Sequence, residues 1–152
     1  MEEYLKSFEA YGKDLSAIYR HQQILIAARL APLRIGSGQY IFLLKIAHEE
    51  GISQKALSEA LLIDKTTTTK AIRKLETEGY VRREPDPDDH RYNQIYLTES
   101  GKSILPKVVD VLDEVQKIGL MGIDETEHLL MKKLLRKVLI NMSRQVRNGK
   151  LA

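Results

Sequence analysis

The chain contains no cysteine. That excludes disulfides, thiolate nucleophiles, iron–sulfur clusters and thiol redox sensing at once. It also lacks any apolar run near the roughly 18–20 residues that a membrane span requires. Its opening residues, MEEYLKSFEAYGKD, place acids where a secretory leader needs cations, and no compact apolar segment follows. The expectation is a cytoplasmic protein with no membrane partner. Histidine is sparse and scattered: His21, His48, His90 and His128 share no ligand spacing, so no metal site is expected. Glycine-rich phosphate loops, nucleophile–base constellations and internal repeats are all missing. The aspartates at 86, 88 and 89 read as a turn with nothing apolar around them to shift a pKa. Neither an enzyme nor a cofactor is expected.

What the chain does have is an uneven distribution of charge. At 152 residues it has the length of one typical domain, and its hydrophobic content of 43% is ordinary. The net charge is only +3. Between Lys65 and Arg83, however, six cations (Lys65, Lys70, Arg73, Lys74, Arg82, Arg83) face two acids, Glu76 and Glu78. The local excess is larger than that of the whole chain, so the remainder is slightly acidic. A DNA-facing module on a near-neutral scaffold has this asymmetry.

Periodicity supplies the elements. Leu5, Phe8, Tyr11, Leu15, Ile18, Gln22 and Leu25 recur at steps of three and four, which predicts a long first helix ending before Pro32. A second helix follows Gly36 and Ser37, with Ser37 as a possible cap, and Gly51 stops it. Ser53 caps a short third helix, and after the turn Leu61-Leu62-Ile63, Asp64 caps a fourth that runs to about Glu78. Tyr80 to Glu84 and Tyr92 to Leu97 have strand character, and the loop between them is rich in proline and aspartate. Thr98 caps a fifth helix; Pro106 either kinks it or lies near its first turns. Asp124 and Glu127 have the spacing of a capping box for the sixth, which carries Leu130, Leu134, Leu135, Val138, Leu139, Met142 and Val146.

The expected fold is mainly α with a small β-hairpin wing: a winged helix-turn-helix at residues 36–98, between long helices at 1–35 and 99–152. The wide apolar stripes of the terminal helices exceed what so small a centre can cover. They pack either into an intramolecular bundle or, as we expect, into a homodimer.

The fourth helix offers two faces. Thr68, Ala71, Ile72 and Leu75 share one, which should be the core face. Lys65, Thr66, Thr67, Thr69, Lys70 and Arg73 project elsewhere, as DNA-contacting candidates. Four threonines in succession cost helix stability relative to alanine. Each offers a hydroxyl for phosphate or base edges and a methyl for thymine. The alternative is a solvated helix with threonines capping its own start. In the following loop, Asp89 is expected to pair across the hairpin with Arg83, leaving Arg91 to enter a narrow minor groove. Alternatively Arg91 neutralises the aspartates of a surface turn.

The stretch from Gly36 to Thr98 resembles the MarR family of winged-helix transcriptional regulators. The resemblance rests on "IGSGQ" before the second helix, on "DKTTTTKAIRKLETEGYVRRE", and on the wing "PDPDDHR" followed by "YLT". Asp89-x-Arg91 with Leu97-Thr98 is its most specific piece. It implies a homodimer built by the first, fifth and sixth helices, and recognition helices in successive major grooves of a near-palindromic double-stranded DNA. It implies Arg91 as the wing-tip contact, supported by Asp89 and Arg83. The run of four threonines departs from the mixed residues usual there and leaves base preference open. The family also implies a repressor released by a small aromatic or anionic effector. Candidate residues are Tyr11, Tyr19, Arg20, His21, Tyr40 and Lys45, each of which taken singly reads as ordinary packing or surface. A different class of function, a winged-helix protein-interaction module, is disfavoured by the basic fourth helix.

Overall fold

The computed structural model describes residues 1, 3 and 11–148. Leu5 and Phe8, the first positions of the expected N-terminal stripe, lie outside the described residues. Within the described residues, α1 (Tyr11–Leu30) leads into a one-turn 3-10 helix (Ala31–Leu33) that begins around Pro32. The second helix, α2 (Tyr40–His48), starts later than its glycine and serine suggested. Residues 36–39 form a turn in which the Gly36 carbonyl accepts from the Gln39 and Tyr40 amides. The Gln39 side chain then accepts from the Gly36 amide at 2.6 Å. Ser37 is thus not the cap: the turn moves the helix start beyond it.

At Gly51 the chain adopts φ +84°, a conformation that disfavours any residue with a Cβ. It then forms a two-residue strand, β1 (Ile52–Ser53), which sequence patterning did not foretell. Helix α3 (Gln54–Leu61) follows, and Ser53 caps it by accepting from the Ala56 amide at 3.1 Å. Leu62 is left-handed at φ 54°, and the buried Ser58 hydroxyl donates to the Ile63 carbonyl across this turn. The recognition-type helix α4 (Lys65–Thr77) begins at Asp64, whose carboxylate accepts from the Thr67 amide at 2.8 Å. Strands β2 (Val81–Pro85) and β3 (Asn93–Leu97) form the wing. The sheet is antiparallel in the order β1-β3-β2, with Val81 opposite Leu97 and Arg83 opposite Ile95.

Helix α5 (Glu99–Gly119) leaves β3 through Thr98. The Thr98 hydroxyl accepts from the Gly101 amide at 3.0 Å and donates to the Gly79 carbonyl. A Cβ on Gly101 would run into the Tyr80 carbonyl oxygen, so glycine is required where α5 crosses the base of the wing. Pro106 sits inside α5, and its missing N–H leaves the Lys102 carbonyl without the usual intrahelical donor. The chain divides into two compact units, 1–115 and 116–152.

The core belongs to the first unit. Ile26 and Leu30 of α1, Phe42, Leu43 and Ile46 of α2, Leu57 of α3, and Ala71, Ile72 and Leu75 of α4 are buried with Ile95 and Leu97 of β3. Thr68 is fully buried on the same face of α4, as its spacing predicted. The second unit holds α6 (Glu125–Arg147), started by a complete capping box from Asp124 and Glu127. No residue of α6 is buried: Leu129, Leu130, Leu134, Leu135, Leu139, Ile140, Met142 and Val146 are all exposed. Among the described residues, no helix is long and apolar enough to cross a membrane.

Candidate nucleic-acid interface

Because Thr68, Ala71, Ile72 and Leu75 anchor α4 to the core, the rest of its surface turns outward. Lys65, Thr66, Thr67, Lys70 and Arg73 are exposed, and Thr69 is half-buried. Thr66, Lys70 and Arg73 lie on the helix side farthest from the buried stripe, since they fall at steps of three and four.

Ion pairing separates the six cations of this region into two groups. Lys74 bonds Glu78 at 2.8 Å, Arg82 pairs with Glu84, and Arg83 pairs with Glu76. The guanidinium of Arg82 also lies 4.8 Å from the centre of the Tyr96 ring. Lys65, Lys70 and Arg73 have no ion pair among the described residues. The local positive field of α4 is therefore carried by three unneutralised side chains, Lys70 and Arg73 on its outer side and Lys65 in its first turn beside the wing cleft.

The wing is organised by its aspartates. Asp86 accepts from the Asp88 and Asp89 amides at 2.8 and 3.2 Å, and its other oxygen accepts from Gln94 at 3.3 Å. The Asp86 amide donates to the Tyr92 carbonyl, closing the loop. Asp89 accepts the Arg91 guanidinium at both oxygens, 2.9 and 2.7 Å, and also the Arg91 amide. These bonds hold the Asp89 carboxyl below the usual carboxylate range and raise Arg91 above its ordinary value. The Arg91 side chain is nonetheless 83% exposed.

The pairing of Asp89 with Arg83 expected from the sequence is not formed. Strand alternation explains why. Arg83 shares a sheet face with Val81, opposite Ile95, so it points to the side where α4 packs and takes Glu76 at 2.5 Å. Asp89 lies beyond the end of the ladder, where its nearest cation is Arg91, two residues on. Arg83 therefore ties the wing to α4, while Asp89 alone holds Arg91.

Between wing and helices lies an open cleft of about 360 Å³, lined by Gln54, Lys55, Lys65, Thr69, Arg91, Tyr92 and Asn93. Only Lys65, Thr69 and Arg91 of these were singled out by sequence. Gln54 is missed because its partner is distant: its side chain donates to the Thr69 hydroxyl at 2.7 Å, fifteen residues away.

The effector candidates are not drawn together. Tyr11, Tyr19, Arg20 and His21 are exposed on α1. Arg20 donates to Ser16 at 2.6 Å and His21 contacts the Ala17 carbonyl at 2.8 Å, so both engage their own helix. Lys45 pairs with Glu49 at 2.8 Å. Among the described residues, Tyr40 is the one candidate hydrogen-bonded to another element, accepting from Gln23 of α1 at 3.4 Å.

The MarR family model matches residues 35–92, the span from the end of the first loop through the wing arginine. The transcriptional regulator HosA of Escherichia coli O111:H- is 36% identical over 101 residues, covering 66% of this chain and 75% of HosA. This chain belongs to the MarR family. Its architecture agrees: a MarR transcriptional regulator from Methanosarcina mazei Go1 superimposes with a TM-score of 0.85 at 38% identity, over 88% of this chain and 96% of that one. A putative MarR regulator from Listeria monocytogenes, solved in complex with a 26mer DNA, gives a TM-score of 0.84 at 25% identity, over 95% and 99%. In this MarR-family winged-helix regulator, Lys65, Lys70 and Arg73 of α4 are thus among the cations without an ion pair among the described residues.

Proposed function

We propose that this chain is a homodimeric, sequence-specific DNA-binding transcriptional regulator that works as a repressor and is released by a small ligand. The observation that carries DNA binding is the row of unpaired Lys65, Lys70 and Arg73 on α4, with the exposed Arg91 on the neighbouring wing. A helix bearing base-reaching and phosphate-reaching cations fits the major groove, and an arginine on a projecting hairpin fits the minor groove. The same unneutralised charge disfavours the reading of the unit as a protein-interaction module. We assign residues 36–98 to DNA contact and residues 1–35 and 99–152 to dimerisation, in the cytoplasm.

Dimerisation is supported by faces that a lone chain leaves in water. On α1 these are Tyr11, Ile18, Tyr19 and Ile24, and on α6 they are the leucines and their neighbours named above. Extensive exposed apolar surface on a helix marks a site of association. A two-fold dimer reads a near-palindrome with half-sites about one helical turn apart or somewhat more. Repression follows from occupying that DNA against other proteins. For the effector, an aromatic or anionic molecule, the exposed Tyr19-Arg20-His21 run supports uptake against α1, with Tyr11, Tyr40 and Lys45 as further candidates. Thermal shifts with a panel of aromatic carboxylates, followed by release of bound DNA, test that part.

The test of DNA binding is a fluorescence-anisotropy titration against duplexes selected from a randomised library. The double variant Arg73→Ala, Arg91→Ala should lose most of its affinity. Its plot of log affinity against log salt should also be shallower, by about one unit of slope per lost phosphate contact. Unchanged binding by the double variant would sink the assignment.

A further inference from the structure

The hydroxyls of the threonine run are not equivalent. Thr67 donates to the Asp64 carboxylate at 2.7 Å, and Thr68, which is buried, donates to the Asp64 carbonyl at 2.9 Å. Thr69 donates to the Lys65 carbonyl at 2.8 Å and also accepts from Gln54 at 2.7 Å. Thr66 alone has no hydrogen bond from its hydroxyl among the described residues.

A hydroxyl has one proton to donate. Phosphate oxygens, the guanine N7 and O6 edge and the thymine O4 accept only, so they need that proton. Thr67 and Thr69 have already placed theirs inside the protein, and donating to DNA means first breaking an internal bond. Their methyl groups carry no such restriction. At Thr69 the constraint is double, because Gln54 holds the oxygen from outside the helix while the Lys65 carbonyl holds it from within. That side chain lines the cleft beside Arg91, so it stands where helix and wing both meet DNA.

We propose that α4 reads thymine 5-methyl groups through the methyls of Thr67 and Thr69. In this scheme Thr66 is the one threonine that donates its hydroxyl proton to DNA, and Gln54 is a positioning residue that fixes Thr69. The inference rests on the DNA-binding reading above and adds the base it selects. It also gives the threonine run a use: at Thr67 and Thr69 the internal hydroxyl bonds leave the methyl as the group free to meet DNA.

Replacing thymine by uracil removes the 5-methyl and leaves every hydrogen-bonding atom in place. Duplexes enriched by the full-length wild-type protein from a randomised library are remade with dU at single half-site positions. Anisotropy should show about fourfold weaker binding per contacted methyl, and about fifteenfold when both half-sites are changed. The variant Thr69→Val, which keeps a methyl and loses the hydroxyl together with its bond to Gln54, should keep a dT-over-dU preference no smaller than that of Gln54→Leu. Thr69→Ser, which keeps the hydroxyl and loses the methyl, should bring that ratio to about one. Gln54→Leu should lower affinity for the dT duplex more than for the dU duplex, and so lower the ratio, whereas a merely structural role would weaken both equally.

Equal wild-type affinity for dT and dU duplexes at every position overturns the methyl reading and leaves DNA binding standing. Loss of thymine preference in Thr69→Val, with preference kept in Thr69→Ser, also overturns it by showing that the hydroxyl makes the contact. Failure to enrich any duplex overturns the regulator reading itself.

Discussion

Arg91 and Arg73 carry the same charge in different circumstances. Arg73 has no ion pair, whereas Arg91 is held at both ends of its guanidinium by Asp89. An exposed pair of this kind adds little to stability, so its value must lie in where it puts the arginine. Simple electrostatics and positioning then make opposite predictions for Asp89→Ala. Removing an acid raises the net charge from +3 and should tighten DNA binding by attraction alone. If the carboxylate positions Arg91, the variant should instead bind severalfold more weakly despite its extra positive charge. Anisotropy at fixed salt reads the sign, and tighter binding would show that Asp89 only screens its neighbour. The sequence reading singled out Arg91 but assigned Asp89 to Arg83; the direct bond between Asp89 and Arg91, two residues apart, was not foreseen. The partner of Arg83 was not legible, since Glu76 lies on another element and only the strand's alternation selects it.

Among whole elements, four helix starts were readable, while that of α2 was not, because the turn at residues 36–39 moved it past Ser37. Ser53, Asp64, Thr98 and Asp124 each accept an amide three residues on, so the cap and its partner sit within one short word of sequence. Asp64 also accepts the Thr67 hydroxyl, and the two bonds hold its carboxyl below the ordinary value. A carboxyl with a depressed folded pKa adds stability that is full above its unfolded pKa, about 3.9, and is lost as pH falls through the lower folded value. Urea melts followed by circular dichroism should therefore show an acid-dependent loss in wild type that is smaller in Asp64→Asn, which keeps a capping oxygen but does not titrate. An equally steep acid loss in the variant would place the dependence elsewhere. Contacts between distant elements were hidden. The Tyr80 hydroxyl reaches the Leu33 carbonyl 47 residues away, and Gly101 meets the Tyr80 carbonyl where α5 crosses the wing. No local pattern marks such a crossing; glycine in a helix reads only as a weak point. Gly101→Ala should cost about 1–3 kcal/mol through the overlap it forces, measured by the same melts. A gain in stability, as expected for alanine at an open helical site, would refute the close approach.

The molecule as a whole is lopsided in how it treats apolar side chains. The first unit closes a core around Phe42, Ile72 and Ile95, and the second presents α6 with none of its residues buried. Leu134, Leu135 and Leu139 are each at least 41% exposed, although leucine at helical spacing ordinarily marks a face that something covers. Covering them with a second copy links two recognition helices and turns two weak half-site contacts into one strong one. Linkage of this kind is worth about 10²–10⁴ in affinity without any new contact to DNA. The double variant Leu135→Glu, Leu139→Glu places charge on one face and should sediment as a monomer in analytical ultracentrifugation. Its affinity for the full palindrome should fall at least about a hundredfold, while its affinity for an isolated half-site stays near that of the wild type. The winged unit's core does not include either residue, so far-UV circular dichroism should retain the helical signal. A variant that remains dimeric, or a monomer that holds the palindrome as tightly as before, would remove α6 from the account of how this regulator grips DNA.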